Sequence, residues 1–257
     1  MLTPEDPATL ASLPKVFERL QRITHPNAVR LREHGWLAGA EFVPISDAPG
    51  PPDDARFYYS RDWIEGTILR NHIDNRAVEA SDFGEVLGII EAVGLGVGAL
   101  HRHGVLHLGL TPTNVILPRD GSPPRVIGLD NCCLLSEEFR GLGSRGSPGY
   151  TAPELFAEGA DGYEMSPASD VYSLAVLLHE MVAGQPPFGT GLAYLGYWSE
   201  LTRRAEPFRL PMQFEGGWAD GLLAALLRWS LEGMPRRRPQ SVAEFLGSIR
   251  LLRRALT

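Results

Sequence analysis

HGVLHLGLTPTNVIL, residues 103–117, is the most informative stretch of this chain. It ends in the apolar run VIL, which a turn rich in proline and glycine, PRDGSPP, separates from a second apolar segment at residues 126–129. Two short apolar runs joined by such a turn predict a β-hairpin. The loop in front of the hairpin places Gly109 between His107 and Asn114. Because glycine has no side chain, residue 109 offers no functional group to any reaction at this loop.

Helical periodicity governs the chain after residue 80. Apolar residues recur every three or four positions over residues 81–103, 168–182 and 222–231, which predicts an amphipathic helix in each range. Ser241 and Glu244 have the spacing of a capping box and predict the start of a further helix. The second part of the chain is therefore expected to be mainly α-helical.

The first part of the chain has a different pattern. VRLREHGW (residues 29–36) and ARFYYSRDW (residues 55–63) are extended segments, and the proline-rich connection ISDAPGPPDD lies between them. We therefore predict an α+β, bilobal fold. A small lobe with a helix and a few strands occupies residues 1–65, and a larger, mainly helical lobe occupies residues 66–257.

Composition argues against several classes of protein. The chain has 257 residues, 44% of them hydrophobic, and its net charge of -7 argues against a general nucleic-acid binder. The two cysteines are adjacent and supply neither a disulfide framework nor a zinc site. The apolar run at residues 86–100 is too short to span a bilayer, and the acidic N-terminus lacks the pattern of a secretory signal. We expect a cytoplasmic protein that binds neither nucleic acid nor membrane.

The basic residues are almost all arginine. Lys15 is the only lysine, so 23 of the 24 basic residues are arginine, a bias that indicates a GC-rich bacterial genome. Any mechanism that requires a lysine must use Lys15. That residue lies in LPKVFERLQRI, which has a helical pattern, and a solvated helix position explains it best.

Several segments, taken in chain order, resemble the protein kinase family. Residues 24–31 resemble the connection from the small lobe's helix to its fourth strand, and residues 103–117 resemble the catalytic loop. Residues 126–131 resemble the strand and metal-binding aspartate motif, and residues 146–154 the end of the activation segment. The helix at residues 168–188 and the later motif PRRRP complete a resemblance that covers most of the chain.

The resemblance implies that the catalytic loop has lost its reactive side chains. The family pattern His-Arg-Asp corresponds to His107, Leu108 and Gly109, so the aspartate that accepts a proton from the substrate is absent. Thr111 replaces the lysine of that loop. Residues 1–23 contain no GxGxxG pattern and are too few for the strands that carry it in the family. We expect no catalytic residue in this loop.

Two residues retain the identity that the family uses to bind magnesium. Asn114 and Asp130 stand where its metal ligands stand, although Asn131 and Cys132 replace the phenylalanine and glycine that follow the aspartate. The same two side chains could instead bond the backbone of the loop without a metal. We expect no cofactor. Binding of ATP and magnesium is the alternative, and this pair of residues is its only support in the sequence.

Other residues correspond to structural positions of the family. Glu154 corresponds to a glutamate that pairs with a late arginine, here Arg238. Asp170 corresponds to an aspartate that holds the backbone of the catalytic loop. The hinge between the lobes corresponds to Arg61, Asp62, Trp63 and Ile64. In the family, the position of Arg61 lines the pocket that binds the adenine ring of ATP. A charged side chain there would disfavour the binding of an apolar ring.

These observations favour a pseudokinase, a catalytically inactive kinase-like domain that serves as a protein-interaction or allosteric module in signalling. Its partner would be a protein, such as a kinase or another signalling protein. The binding surfaces would include the sheet of the small lobe, the loop at residues 45–54 and the segment at residues 141–149. A partner chain could also complete the small lobe by pairing with the exposed edge of its sheet.

The alternative is an enzyme, either an atypical Ser/Thr kinase or another nucleotide-dependent transferase. It would hold a metal ion with Asn114 and Asp130. His107, Arg61 and Asp120 are then available to replace the missing catalytic groups, and no spacing in the sequence selects one of them.

Overall fold

The computed structural model describes residues 7–38, 41–43, 56–75, 83–136, 147, 149–155, 165–189 and 218–256. The proposed binding segment at residues 45–54 lies outside these residues, as does most of the segment at residues 141–149.

The first part of the chain forms a helix and a three-stranded sheet. Helix α1 (Pro7–Gln21) is followed by the strands β1 (Leu31–Ala38), β2 (Glu41–Val43) and β3 (Arg56–Arg61). The strands are antiparallel and lie in the order β2-β1-β3. Trp36 and Phe57 are buried on the inner face of the sheet, and Phe17 of α1 packs edge to face on Phe57, with the ring centroids 5.0 Å apart.

The second part is mainly helical. Its elements are β4 (Gly66–Ile68), α2 (Leu69–Asp74), α3 (Phe83–Arg102), β5 (Val105–Leu106), β6 (Val115–Pro118), β7 (Arg125–Val126), β8 (Cys133–Leu134), α4 (Pro167–Ala183), α5 (Trp218–Ser230) and α6 (Val242–Ala255). The helices α3, α4, α5 and α6 share one apolar core, and the short strands form the sheets β4-β6-β7 and β5-β8. Helices combined with small antiparallel sheets confirm the predicted α+β class.

Helix α3 is the long central helix of this core. By length and composition it is the one helix among the described residues that could cross a membrane. However, 67% of its apolar stretch is buried inside the protein. A Cβ atom placed on Gly96 would lie 2.2 Å from the carbonyl oxygen of Asn27, so the helix approaches the preceding loop very closely. The apolar run at residues 86–100 therefore belongs to a longer helix that packs within the protein.

The predicted hairpin forms, but its second strand is shorter than the sequence indicates. Strands β6 and β7 are antiparallel, with Val115 opposite Val126. The strand ends there because Gly128 adopts a left-handed conformation, with φ of 75°, and a 3-10 turn follows at Leu129–Asn131. The prediction of a strand through residue 129 is wrong, and the turn that replaces its end carries Asp130.

Local sequence signals account for the ends of the helices. Helix α4 ends at Ala183, and Gly184 follows it as the C-cap with a φ of 75°. Helix α6 begins after Ser241, whose Oγ accepts a hydrogen bond from the Glu244 N–H at 3.2 Å. The Glu244 carboxylate accepts a hydrogen bond from the Gln240 N–H at 2.8 Å, so the return bond of the predicted capping box comes from one residue earlier.

Candidate functional site

Asp170 of α4 organises the loop that precedes β6. Its Oδ2 accepts a hydrogen bond from the His107 N–H at 2.9 Å, and its Oδ1 accepts one from the Leu108 N–H at 2.8 Å. The ring nitrogen His101 Nε2 lies 2.7 Å from Oδ2. Burial acts to raise the pKa of Asp170, but its bond with His101 and the nearby His107 outweigh burial and lower that pKa. The carboxylate is therefore held as an anion inside the protein and fixes the loop backbone.

His107 is committed to the same scaffold. Its side chain is completely buried, with Nε2 3.0 Å from the carbonyl oxygen of Ile127, and its Nδ1 accepts a hydrogen bond from the Gly109 N–H at 3.2 Å. One nitrogen donates and the other accepts, so the ring is neutral in this arrangement. Burial lowers the pKa of His107 and favours the same neutral form. A role for His107 as a recruited catalytic group does not fit these contacts.

Leu108 adopts an unusual backbone conformation. Its φ is 52°, and within the described ranges it is the one residue other than glycine with a positive φ. This conformation costs an L-residue about 1 kcal/mol, and the bond from its N–H to Asp170 helps to offset that cost. The Leu108 side chain is buried in the main apolar core. The position that resembles an arginine site is thus a packing position here.

Asn131 occupies the space beside Gly109. A Cβ atom placed on Gly109 would lie 2.9 Å from Asn131 Nδ2 and 3.2 Å from Asn131 Cβ. Contacts this short require the asparagine to move if residue 109 is to carry a side chain. The site therefore lacks a carboxylate at residue 109, and the Asn131 side chain lies against the position where a side chain would begin.

Asn114 is tied to the loop backbone. Its Nδ2 donates a hydrogen bond to the carbonyl oxygen of Gly109 at 2.7 Å. A Cβ atom placed on Gly128 would lie 2.2 Å from Asn114 Cγ, so the amide packs directly on this glycine. The left-handed conformation and the absence of a side chain at Gly128 both serve this contact. Asn114 thus joins the loop before β6 to the turn after β7.

Asp130 lies on the surface of that turn and contacts the small sheet. Tyr59 of β3 donates its hydroxyl hydrogen to Asp130 Oδ1 at an O–O distance of 3.0 Å. Burial and the Asp130 carboxylate both raise the pKa of Tyr59, so the hydroxyl keeps its proton. The sequence does not reveal this bond, because the aromatic run at residues 57–59 indicates only a packed strand.

The two candidate metal ligands do not form a magnesium site by themselves. Among the described residues, no group of three or more His, Cys, Asp and Glu side chains could hold a metal ion. Magnesium prefers six oxygen ligands in a regular octahedron. Asp130 already uses Oδ1 as an acceptor for Tyr59, and the amide of Asn114 is packed on Gly128. Asn114 and Asp130 would therefore supply only part of the ligand shell of the ion, and waters and substrate phosphates would have to provide the rest.

The hinge residues form hydrogen bonds with each other and with Arg30, which directly precedes β1. Arg61 Nη1 donates to the carbonyl oxygen of Asp62 at 3.3 Å, and the Asp62 N–H donates to the carbonyl oxygen of Arg30 at 3.0 Å. Both backbone groups of Asp62 therefore have partners within the chain. The Trp63 side chain is 88% exposed, whereas Ile64 is buried. The Arg61 guanidinium thus caps a hinge carbonyl instead of leaving it open to a ligand.

Glu154 and Arg238 form a buried, bidentate ion pair. Arg238 Nη1 lies 2.9 Å from Glu154 Oε1, and Arg238 Nη2 lies 2.8 Å from Glu154 Oε2. Ser169 donates its hydroxyl hydrogen to Glu154 Oε1 at 2.7 Å. The guanidinium also donates to the carbonyl oxygens of Ala168, Glu232 and Gly233. The charge is therefore fully paired within the helical part.

Three further candidate residues, Thr111, Lys15 and Asp120, lie in positions that explain them structurally. Thr111 is buried, with its hydroxyl oxygen 2.8 Å from Thr113 Oγ1. Lys15 is exposed on α1. Asp120 Oδ1 accepts a hydrogen bond from the Ser122 N–H at 2.9 Å within the turn between β6 and β7. Asp120 therefore stabilises a turn, which accounts for it without a catalytic role.

Comparison with known proteins extends the resemblance to most of the chain. The model of the protein kinase domain matches residues 15–245. The chain is 31% identical over 178 residues to the serine/threonine-protein kinase PkaA of Streptomyces coelicolor, which covers 68% of this chain and 29% of PkaA. It is 29% identical over 245 residues to the DNA damage-responsive serine/threonine-protein kinase RqkA of Deinococcus radiodurans, which covers 92% of this chain and 32% of RqkA. The chain thus spans about a third of the length of these bacterial relatives.

Solved structures show the same fold. The crystal structure of the Mycobacterium tuberculosis PknI kinase domain superimposes with a TM-score of 0.63 at 23% sequence identity. The superposition covers 96% of this chain and 83% of the PknI chain. At this identity the likeness defines the architecture and not the chemistry.

Proposed function

Because this chain belongs to the protein kinase family, we propose that it is a pseudokinase domain, one that keeps the kinase fold to bind a signalling protein and does not transfer phosphate. Enzymes of this family depend on the positioning of groups and on charge neutralisation more than on covalent chemistry.

The relationship between Gly109 and Asn131 carries the proposal. Residue 109 corresponds to the proton-accepting aspartate, and here it has no side chain. Asn131 Nδ2 would lie 2.9 Å from a Cβ atom at that position, so Asn131 would have to shift for residue 109 to carry a side chain. General-base assistance typically contributes about 10²–10⁴-fold to a rate. The loss of the carboxylate supports an inactive domain.

The scaffold around the loop is intact. Asp170 holds the backbone of His107 and Leu108, and Glu154 pairs with Arg238 deep in the helical part. Removing one partner of a buried ion pair costs about 3–5 kcal/mol of stability, so each charge of the Glu154–Arg238 pair is needed once the other is present. A scaffold that is complete while its reactive groups are absent supports use as a binding or allosteric module, with another protein as the partner.

The alternative is an atypical Ser/Thr kinase or another nucleotide-dependent transferase that uses Asn114 and Asp130. One observation favours it: Asp130 is exposed, so its carboxylate is accessible to a ligand. The relatives PkaA and RqkA are serine/threonine-protein kinases, which is compatible with this alternative. Any such activity would need groups other than His107, whose ring is buried and bonded on both nitrogens.

Transfer of labelled phosphate from ATP tests the proposal. The wild-type protein, incubated with magnesium or manganese and general kinase substrates, is expected to incorporate no more label than the Asp130→Ala variant. Asp120→Ala is the matched control, because Asp120 is an exposed carboxylate that bonds only within its own turn in the described contacts. Incorporation by the wild type and by Asp120→Ala, abolished in Asp130→Ala, would overturn the proposal in favour of the enzyme.

A further inference from the structure

We propose that the small lobe and the short strands β5, β6, β7 and β8 open and close as one unit, which is distinct from the core of the long helices. These strands are called the strand layer below. The layer includes both strands that flank the loop at residues 107–114. The inference deepens the proposed function and rests on it, because it gives the route by which a partner bound to the small lobe would change that loop.

The apolar core of the small lobe is shared with the second part of the chain. Phe17 of α1, Trp36 of β1 and Phe57 of β3 are at most 1% exposed and belong to this small-lobe core. Residues from α3 and from the strand layer complete it: Ala99, Leu100, Val105, Ile116, Ile127, Leu129, Cys132 and Leu134. A domain that folds alone has its own core. The inner face of the small sheet therefore depends on the strand layer for its cover.

The strand layer lies between two apolar cores. Val105 of β5 belongs to the small-lobe core, whereas the next residue, Leu106, belongs to the helical core that α3, α4, α5 and α6 share. Successive residues of a strand point to opposite faces. The same alternation recurs in the residue pairs Val115–Ile116, Val126–Ile127 and Cys133–Leu134, with the second residue of each pair in the small-lobe core. Both faces of the layer are thus buried.

Hydrogen bonds join the small lobe to the same layer. The Val29 N–H donates to the carbonyl oxygen of Val126 at 2.9 Å, and the Val126 N–H donates to the carbonyl oxygen of Asn27 at 2.9 Å. The Tyr59 hydroxyl donates to Asp130 at 3.0 Å. Separation of the small lobe from the layer would break these bonds and expose the shared core to water at the same time. Opening of one is therefore coupled to opening of the other.

The coupling reaches the loop between β5 and β6. Asp170 of α4 holds the backbone of this loop at His107 and Leu108 from the helical side. Val105 and Ile116, which lie just before and just after the loop, are instead packed in the small-lobe core. A partner that shifts the small sheet would change the packing of both, and coupling of this kind travels through contiguous packed side chains.

Native-state hydrogen exchange on the full chain, measured by mass spectrometry at increasing urea below the unfolding midpoint, tests the unit. The amides of β1, β3, β5 and β6 should open with one common urea dependence, while the amides of α4 open at a higher free energy. Phe57→Leu should accelerate exchange in β1, β3, β5 and β6 by the same factor, about tenfold. Phe245→Leu is the matched control, because Phe245 is equally buried but lies in the helical core. It should leave exchange in those four strands unchanged.

A second variant tests the coupling from the opposite side. Ile116→Val removes one methyl group from the strand layer and should accelerate exchange in β1 and β3 as much as in β6, by about threefold to tenfold. This substitution is mild, so the comparison remains available if Phe57→Leu does not fold.

Two results would overturn the unit. In the first, Phe57→Leu or Ile116→Val accelerates exchange only on its own side of the shared core. In the second, Phe245→Leu accelerates exchange in the four strands as much as Phe57→Leu does, because the layer would then open only with the whole chain. The phosphate-transfer assay decides the proposed function separately. Independent opening of the small lobe leaves an inactive domain in place, and an active wild type contradicts the pseudokinase whatever the exchange result.

Discussion

The side chain of Asn131 lies directly beside the Cα atom of Gly109. A Cβ atom on residue 109 would approach Asn131 Nδ2 to 2.9 Å and Asn131 Cβ to 3.2 Å. Gly109 is absent from the described glycines with positive φ, so its backbone could accept a side chain and the obstacle is the asparagine. The Asn131 side chain therefore contacts the side of residue 109 from which a side chain would extend.

This pair predicts that restoring the aspartate alone harms the protein. Gly109→Asp forces Asn131 to move, and such overpacking typically costs about 1–3 kcal/mol. Gly109→Asp combined with Asn131→Ala should recover part of the loss, which denaturant unfolding of the single and double variants measures as a coupling free energy. Gly84→Ala is the control, because a Cβ atom on Gly84 of α3 meets nothing within 4 Å. Additive effects of the two substitutions would show that Asn131 is not the obstacle.

The buried ion pair predicts a large loss of stability when one partner is removed. Arg238→Met leaves Glu154 charged and unpaired in the core, with an expected cost of about 3–5 kcal/mol in the free energy of unfolding. Arg119→Met removes the partner of Glu65 from a pair whose side chains are 77% and 70% exposed, and it should cost about 1 kcal/mol or less. Urea denaturation compares the two variants. Similar losses in both would contradict a structural role specific to Arg238.

His179 predicts a dependence of stability on pH. Burial lowers the pKa of this histidine from 6.5 to about 4, against the opposing bond between Nδ1 and the carbonyl oxygen of Gln185. The pKa of His179 is lower in the folded state than in the unfolded state. Its contribution to the free energy of unfolding is therefore fully present above about pH 6.5 and is lost as the pH falls toward 4. The loss is at most about 1.4 kcal/mol per pH unit. Burial also lowers the pKa of His107, so its contribution to stability decreases with falling pH in the same way.

The substitution His179→Gln separates the two histidines. Its free energy of unfolding should fall less steeply than that of the wild type between pH 6.5 and pH 5, when urea denaturation is repeated across that range. The pH dependence that remains in His179→Gln comes from the titration of His107 and of the carboxylates. Parallel curves for the two proteins would mean that His179 is not buried as a neutral group.

The sequence predicted the helices and the α+β class because amphipathic periodicity is local. The ranges at residues 168–182 and 222–231 reappear as α4 (Pro167–Ala183) and α5 (Trp218–Ser230) with small shifts at their ends. The hairpin was predicted with a second strand that is too long. The apolar residues after Val126 continue the strand pattern, but Gly128 turns the backbone into a 3-10 turn, and a periodicity argument does not contain that conformation.

The contacts that define the site are long-range and could not be predicted in this way. Tyr59 meets Asp130 because β3 and the turn at Leu129–Asn131 are brought together by the packing of the whole domain. Asn131 covers Gly109 for the same reason. The resemblance to the protein kinase family identified Gly109 and Asp130 as the informative positions, whereas their partners are visible only in the three-dimensional arrangement.

The central claim is that the catalytic loop survives as a scaffold and not as a metal and nucleotide site. Thermal unfolding of the wild type and of Asp130→Ala, with millimolar ATP and with or without magnesium or manganese, tests it most directly. A ligand at about 100 times its dissociation constant adds roughly 2.7 kcal/mol of stability and raises the melting temperature measurably. We predict no metal-dependent shift in either protein. A shift in the wild type that requires the metal and disappears in Asp130→Ala would contradict the account.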